Sequence, residues 1–387
     1  MNNKKAIIIG AGASGRGHMG QLAYEAGYEL FFLEKDKQLA ETLKRHGHYT
    51  VRLVSAKTRD VDIARFKIFH LDEGDAFFHE FCDTSLIFTT VCPNNLKDAA
   101  DYLRPMIVAW LKKSPANSYK NILCCENMNN SSAVFKQYLL ENFPPGLIPE
   151  LENRFGFANT MIARVVAKPK DPLFLLGEEY SEWTADIHAL RGHDIPEIRT
   201  LEFVAEQEKY LQRKLFIHNT GHATFGYLGF LKGYKYVHEA AQDAAIMAIV
   251  KKAIEESGWA VQQEHGFSEE VIRKYRQALT DKCPIAELPD ELRRVVREPL
   301  RKLGPDERFF GPAKLMVKHG RAPEYLLYGA CAALLAKIPD DADSEKISSA
   351  IGRGGLEELF STLLPETPEN LRSSVKRLLP IVKQTFC

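Results

Sequence analysis

Three side chains that could transfer a proton or donate a hydrogen bond lie close together in the second half of the chain. Lys214, Asn219 and His222 all fall within the stretch RKLFIHNTGH. On an α-helix, at about 100° per residue, Asn219 lies roughly 140° and His222 roughly 80° from Lys214. A proton acceptor, an amide and an imidazole would then share one side of the helix and could line a site for a hydroxyl or a carbonyl group. The same spacing is typical of a solvated helix surface, so the interpretation depends on the rest of the chain.

A glycine-rich turn near the start of the chain has the spacing of a dinucleotide site. A short apolar run, typical of a buried parallel strand, is followed at once by GAGASG, which begins at Gly10. Gly10 permits the tight turn, Gly12 lets the backbone approach a pyrophosphate, and Gly15 lets the following helix pack close to the strand. A second apolar run ends at Glu34, close to where such a fold holds the ribose 2′-hydroxyl. Because a carboxylate repels a 2′-phosphate, we predict NAD rather than NADP as the cofactor.

Further strand-like runs in the first half end in polar residues. One run ends at Cys92, and another is followed by Glu126 and Asn127. Ligands of open α/β sheets bind beyond the carboxyl ends of the strands, and the Asn127 amide could donate a hydrogen bond to a developing alkoxide. A turn or helix-capping role for Asn127 fits the local sequence equally well. Two later apolar runs, at 155–166 and 173–176, are assigned to the edge of the same sheet.

The pattern of the chain changes near residue 192, where helical periodicity replaces the strand-like runs. We therefore predict a fold of the α/β plus all-α class. A Rossmann-type dinucleotide-binding domain with extra strands would cover residues 1–192, and an all-helical substrate domain would cover residues 193–387. A chain of 387 residues is long for one core, so two domains are expected, with the site in a cleft between them.

The composition narrows the classes of ligand. Lys and Arg number 51, as do Asp and Glu, so the charge argues against nucleic acid and membrane partners and for a small metabolite. Seven cysteines without a CxxC pair indicate reduced thiols in the cytoplasm. His218 and His222 have the spacing of a zinc helix, but the glutamate of HExxH is missing, so no metal is predicted. The sequence fits a monomer or a small homo-oligomer.

Taken together, these motifs resemble the polyol-specific long-chain dehydrogenase/reductase family over nearly the whole chain. The resemblance lies in GAGASGRG at Gly10–Gly17, CENM at Cys125–Met128, SEW at Ser181–Trp183, RKLFIHNTGHA at Arg213–Ala223 and REPLRKL at Arg297–Leu303. It implies a zinc-independent NAD enzyme that interconverts mannitol 1-phosphate and fructose 6-phosphate. It also implies that Lys214 is the general base, that Asn127 and Asn219 hold the reacting oxygen, and that His222 orients the substrate.

The substrate is less well determined than the reaction. A cationic cluster of Arg297, Arg301 and Lys302 could bind a substrate phosphate, because arginine forks suit phosphate oxygens, although an exposed basic helix has the same pattern. Ala163 replaces an aspartate that is common in the family, and Cys92 replaces a glycine. Two alternatives stay open: a relative that reduces another keto-sugar, such as a uronate or an unphosphorylated ketose, and a non-catalytic NAD-binding sensor.

Overall fold

A computed structural model describes residues 4–55, 57–128, 130–167, 170–192, 195–287 and 289–387. The chain forms two compact units, Met1–Leu211 and Gln212–Cys387. The division falls later than the predicted boundary between 192 and 193, because Leu201–Val204 forms another strand of the N-terminal sheet and pairs with Glu182–Asp186. Residues 193 and 194 themselves lie outside the described part of the chain.

The first unit contains an eight-stranded sheet and a three-stranded sheet. The strands are β1 Lys5–Ile9, β2 Glu29–Glu34, β3 Tyr49–Val54, β4 Arg59–Ile63, β5 Phe66–His70, β6 Leu86–Thr89, β7 Lys120–Cys124, β8 Phe155–Ala163, β9 Phe174–Glu178, β10 Glu182–Asp186 and β11 Leu201–Val204. The large sheet has the order β11-β10-β8-β7-β6-β1-β2-β5, and only the β8–β10 pair is antiparallel. The strand β1 lies between β2 and β6, so the chain adds strands first on one side of β1 and then on the other. This reversal of strand order at β1 confirms the predicted Rossmann-type domain.

The extra strands lie differently from the prediction. The run at 155–166 contributes β8, which lies inside the large sheet between β7 and β10 rather than at its edge. The run at 173–176 contributes to β9, which belongs to the separate sheet β4-β3-β9. Val51 of β3 pairs with Leu175 of β9, and both are fully buried, so this pairing keeps apolar side chains out of water. Residues 168 and 169, between the two runs, lie outside the described residues.

The strand β1 shows why this sheet is covered on both faces. Ala6 and Ile8 belong to one hydrophobic cluster, while Ile7 and Ile9 belong to another. Successive strand side chains point to opposite faces, so a fully apolar strand needs packing on both sides. The helices of this unit are α1 Gln21–Glu25, α2 Lys37–His46, α3 Gly74–Asp83, α4 Leu96–Lys113, α5 Ser131–Leu140 and α6 Ile148–Arg154. The helix α7, Gln207–Arg213, begins in this unit and ends in the second.

The second unit is helical, as predicted. Its helices are α8 Thr220–Leu231, α9 Val237–Gln242, α10 Ala244–His265, α11 Glu269–Lys282, α12 Leu292–Val295, α13 Pro299–Lys302, α14 Phe310–Lys318, α15 Tyr325–Leu335, α16 Ala342–Thr362 and α17 Glu369–Phe386. The long helix α10 begins where the Asp243 side chain accepts hydrogen bonds from Ala245 N and Ile246 N, and it ends at Gly266 with a φ of 71°. Within the described ranges, no helix is both long and apolar enough to cross a membrane.

Candidate active site

The predicted glycine turn follows β1, and each of its three positions favours glycine for a different structural reason. Gly10 has a φ of 97°, and a Cβ atom there would lie 2.9 Å from the carbonyl oxygen of Thr90. A Cβ atom on Gly15 would lie 2.0 Å from the carbonyl oxygen of Gly10. A Cβ atom on Gly12 would meet nothing within 4 Å. The fold itself therefore requires Gly10 and Gly15, whereas Gly12 leaves open space that a cofactor could fill.

Glu34, at the end of β2, holds this turn in place. Its carboxylate accepts hydrogen bonds from Ala11 N at 2.6 Å and from Lys35 N and Asp36 N at 2.9 Å each. From the other side, Nε of the buried Arg16 donates to the Ala11 carbonyl at 2.6 Å. A carboxylate has about four acceptor positions, so Glu34 retains room for one further donor. The geometry is compatible with the predicted ribose contact, which stays a prediction.

A buried carboxyl group that the sequence analysis did not select joins the ends of β6 and β7. Glu126 accepts hydrogen bonds from Thr89 Oγ1 at 2.8 Å and from Val91 N at 3.1 Å. Burial raises the pKa of Glu126, and these two bonds oppose the shift only in part. Asn127, the next residue, is exposed. The predicted amide donor therefore follows a strand end whose position the neighbouring strand fixes.

Cys92 occupies a backbone conformation that suits glycine. Its φ is 67° and its ψ is 150°, a region that residues with a side chain almost never adopt. The residue lies just past β6, at the edge where the parallel strands end. The departure from glycine noted in the sequence therefore costs conformational energy at this strand end.

Ala163 is buried at the end of β8, and the residue after it holds the start of the dinucleotide helix. The guanidinium of the half-buried Arg164 donates to the Gly17 carbonyl at 3.2 Å and to Gln21 Oε1 at 2.6 Å. Burial lowers the pKa of Arg164 to about 10. Arg164 thus has a structural role in the first unit that does not need a carboxylate at position 163.

The helix that carries the predicted catalytic residues is not a plain α-helix. Lys214–Asn219 forms a π-helical turn between α7 and α8. The i→i+5 hydrogen bonding of a π turn widens the helix, so residues five apart lie nearly above one another. The angle of about 140° expected for an α-helix is therefore wrong, because the wider turn brings Lys214 and Asn219 closer to the same side. Both side chains are half-buried, and π turns occur frequently at functional sites.

The packing around the π turn fixes its C-terminal end. Thr220 Oγ1 donates to the Arg308 carbonyl oxygen at 2.5 Å. A Cβ atom on Gly221 would lie 2.4 Å from Cδ2 of Leu279 on α11, so only glycine permits this close approach. The residues directly after Asn219 are thus held by two other segments of the same unit.

His222, on α8, contacts a carboxylate that sequence reasoning missed. Its Nε2 lies 2.9 Å from Asp290 Oδ2. Arg294 Nε and Nη2 bind the same carboxylate at 2.9 Å and 2.7 Å. Burial alone would raise the pKa of Asp290, but the bonds to His222 and Arg294 outweigh it and hold the pKa below its usual range. Asp290 is therefore ionised at neutral pH.

His218 shares the π turn with Lys214, and burial dominates its electrostatics although Lys282 and His222 also act on the ring. Its ring nitrogens are buried, and its ring centroid lies 6.2 Å from that of His222. Burial lowers the pKa of His218 well below its usual range, so the ring is neutral at pH 7. In the part of the chain that the structure describes, no group of three or more His, Cys, Asp or Glu side chains could hold a metal ion.

The three cations predicted to bind phosphate have different surroundings. Lys302 is buried, and its Nζ donates to the carbonyl oxygens of Val295, at 2.7 Å, and of Arg297. Burial lowers the pKa of Lys302 to about 7. The chain itself therefore uses the Lys302 ammonium group, which stabilises the turn before α13.

The arginines of this region also differ from one another. Arg297 and Arg301 are exposed, and Arg301 Nε donates to Glu298 at 2.8 Å. Arg308, further along the chain, has only 12% of its side chain exposed and pairs with Glu307 at 3.0 Å. The bond from Thr220 to the main-chain carbonyl of Arg308 places the backbone of Arg308 at the end of the π turn.

In comparisons with known proteins, the chain likewise matches two consecutive domains. Residues 4–197 match the Mannitol dehydrogenase Rossmann domain, and residues 206–352 match the Mannitol dehydrogenase C-terminal domain. Mannitol-1-phosphate 5-dehydrogenase of Thermoanaerobacter pseudethanolicus is 35% identical over 390 residues, which cover 99% of both chains. Among solved structures, a D-sorbitol dehydrogenase has a TM-score of 0.79 at 14% identity, covering 100% of this chain and 95% of its own. Mannitol 2-dehydrogenase of Pseudomonas fluorescens, in a ternary complex with NAD and D-mannitol, has a TM-score of 0.73 at 16% identity, with coverages of 98% and 92%.

Proposed function

Because the chain belongs to the mannitol dehydrogenase family, we propose that it interconverts a polyol phosphate and a ketose phosphate. Membership of this family confirms the predicted class, an oxidoreductase that uses NAD. The specific reaction that we propose oxidises D-mannitol 1-phosphate with NAD⁺ to D-fructose 6-phosphate and NADH. The name of the relative that is 35% identical over the full length supports this choice of substrate.

The π turn is the observation on which the proposed chemistry depends. Alcohol oxidation requires a base for the hydroxyl proton at the moment when hydride leaves the carbon. Lys214 begins the turn and is half-buried, and a lysine amine in its neutral form can accept such a proton. Asn219 ends the same turn, so its amide can donate to the oxygen from which Lys214 takes the proton. In the reverse reaction Lys214 returns the proton to the carbonyl oxygen.

The first unit carries the residues that we propose to bind the cofactor. NAD supplies the hydride acceptor when it is bound. The open space over Gly12 suits its pyrophosphate, and the remaining acceptor capacity of Glu34 suits a ribose hydroxyl. We propose that Asn127, exposed just beyond β7, provides a second amide donor for the reacting oxygen. The cytoplasmic location and the oligomeric state stay predictions.

For the phosphate group, the contacts favour the arginines over Lys302. The Lys302 ammonium is buried and donates to two backbone carbonyls, so a role for it in substrate binding would require those bonds to break. We propose that Arg308, joined through its carbonyl to Thr220, binds the phosphate together with the exposed Arg297. Arginine suits this task because its planar fork can donate two bonds to one phosphate.

The alternative within the family is an unphosphorylated ketose or a uronate. One observation favours it: two of the three cations predicted from the sequence, Arg301 and Lys302, already have partners in the chain. NADH oxidation with fructose 6-phosphate, fructose and keto-uronates under identical conditions distinguishes these substrates. Arg308→Ala should raise KM for fructose 6-phosphate by about tenfold or more, because hydrogen bonds to charged groups contribute about 1.5–3 kcal/mol each. If the three substrates are used equally well, the phosphate assignment is wrong.

The base is tested by Lys214→Ala, with Lys209→Ala on α7 as the matched control. Lys209 is a neighbouring lysine that pairs with Glu206 at 2.6 Å. Loss of a general base lowers kcat by about 10²- to 10⁴-fold, whereas the control should retain normal turnover. NADH binding, followed by fluorescence titration, should be unchanged in both variants. Near-normal turnover by Lys214→Ala would exclude Lys214 as the base. NADH binding by the wild-type protein without turnover of any ketose would favour the sensor.

A further inference from the structure

We propose that Asp290 is a positioning residue, which holds His222 in the tautomer with hydrogen on Nε2 and thereby presents Nδ1 as an acceptor for a substrate hydroxyl group. The proposal rests on the proposed function, because it gives His222 a specific task towards a polyol or ketose. It differs from a general orienting role, since it names the atom that contacts the substrate and the group that sets its protonation.

The contacts of the Asp290 carboxylate determine the direction of the bond to His222. Oδ2 lies 2.9 Å from His222 Nε2, and only 10% of the Asp290 side chain is exposed. Arg294 donates to Oδ1 and Oδ2 from Nε and Nη2. An ionised carboxylate only accepts hydrogen bonds, so Nε2 must carry the hydrogen. In a neutral imidazole the other nitrogen, Nδ1, is then an acceptor.

The position of Asp290 does not depend on His222. The Asp290 carbonyl accepts a hydrogen bond from Val237 N at 2.9 Å, and Leu292 N donates to the Lys235 carbonyl at 2.9 Å. These two bonds form a short antiparallel bridge between Tyr236 and Glu291, the residue that directly follows Asp290. The backbone thus fixes the acceptor, and the imidazole turns its Nε2 towards it.

The second ring nitrogen is left for a ligand. Among the described residues, His222 Nδ1 forms no hydrogen bond with the protein, and 21% of the side chain is exposed. His222 follows Asn219 by three residues on the same helical run, so its ring lies near the turn that carries the proposed base. A hydroxyl group beside the reacting carbon can donate to Nδ1, whereas a compound without such a hydroxyl has no donor for it. The arrangement therefore favours α-hydroxy ketones and polyols over simple ketones and alcohols.

The tautomer is measured directly by ¹⁵N NMR on the histidine-labelled wild-type protein without substrate. The His222 signals are assigned by their absence from the spectrum of His222→Gln. We expect a protonated Nε2 and an unprotonated Nδ1. In Asp290→Asn the charge that fixes this tautomer is lost, so we expect a mixture of tautomers and a fall in kcat with fructose 6-phosphate of about ten- to a hundredfold. The affinity for NADH should stay unchanged.

A matched control removes a similar bond elsewhere in the second unit. His319 Nε2 lies 2.8 Å from Glu264 Oε2. Glu264→Gln should therefore leave kcat within about twofold of wild type, as is usual for a surface substitution. Formate or acetate added to Asp290→Ala should restore part of kcat, because a small carboxylate can occupy the vacated acceptor position.

The outcomes separate the two proposals. A wild-type His222 protonated on Nδ1, or an Asp290→Asn variant that keeps both the wild-type tautomer and the wild-type kcat, would refute the role of Asp290. If the wild-type protein turns over no ketose phosphate, the proposed function fails. The NMR experiment uses the free protein, so it would still decide whether Asp290 fixes the tautomer.

Discussion

Replacement of Cys92 by glycine should make the first unit more stable. With a φ of 67° and a ψ of 150°, a residue that carries a Cβ atom loses about 1–3 kcal/mol to backbone strain. Glycine relieves that strain, but its greater freedom in the unfolded chain costs about 0.4–1 kcal/mol. The net change in the free energy of unfolding should therefore be a gain of about 0.5–2 kcal/mol. In a domain of this size, Tm should rise by about 1–8 °C.

The measurement is urea unfolding of the full chain by tryptophan fluorescence, in a Trp259→Phe background so that only tryptophans of the first unit emit. Trp183 is fully buried there, and its ring centroid lies 5.0 Å from that of Phe88, so its emission should change when that core opens. Cys92→Ala is the matched control, because it removes the thiol but keeps the Cβ atom that causes the strain. If Cys92→Gly unfolds at the same urea concentration as Cys92→Ala, the backbone at this strand end is not strained.

Two further predictions concern charged groups of the second unit. The hydrogen bond from Lys232, helped by a bond from the α10 backbone, outweighs burial, which raises the pKa, and lowers the pKa of Asp243 to about 2. A carboxylate whose pKa is lower in the folded than in the unfolded chain stabilises the fold above the unfolded pKa of about 3.9, and this stabilisation is lost as the pH falls through the folded pKa. The free energy of unfolding should therefore decline between about pH 4 and 2. In Asp243→Asn the decline should be less steep. Lys302→Met should lower the free energy of unfolding by about 1–3 kcal/mol, because two buried carbonyls lose their donor, as denaturant titration would detect. KM for fructose 6-phosphate should stay within about twofold in Lys302→Met, and a large increase would return Lys302 to the phosphate site.

The dinucleotide-binding fold of the first unit could be predicted from the sequence because its signals are local. A turn that needs a positive φ at Gly10 and close packing at Gly15 leaves its mark within a few residues, and an apolar strand ending at Glu34 does the same. The hydrophobic runs of β1, β6 and β7 identified the parallel sheet for the same reason. The edge of that sheet was not predictable in this way, because β10 and β11 are short and are defined by their partners. β9 satisfies its backbone through β3, from which it is distant in sequence.

The catalytic half was only partly predictable, because its geometry depends on distant contacts. The spacing of Lys214, Asn219 and His222 made them candidates, which they stay, but the change from an α-helix to a π turn altered the angles between them. Nothing local to this stretch specifies the turn, whereas the bond from Thr220 to Arg308 joins residues 88 positions apart. Asp290 lies 68 positions from His222, so no short motif could associate them. The burial of Lys302 could not be predicted from the sequence, because a lysine next to arginines usually indicates a solvated surface.

These contacts explain why the second unit can hold its proposed catalytic groups in a fixed geometry. Lys214, Asn219 and His222 lie on one continuous helical run, so their spacing cannot change without breaking main-chain hydrogen bonds. The close contact at Gly221 fixes this run against α11, and the Asp290 carboxylate holds the His222 ring. Donors and acceptors that are already oriented need no reorganisation when charge develops on the reacting oxygen. An insertion or deletion inside Lys214–Asn219 would change the type of turn that aligns the base and the amide. It should therefore lower the proposed activity more than a conservative substitution of an exposed residue near the turn.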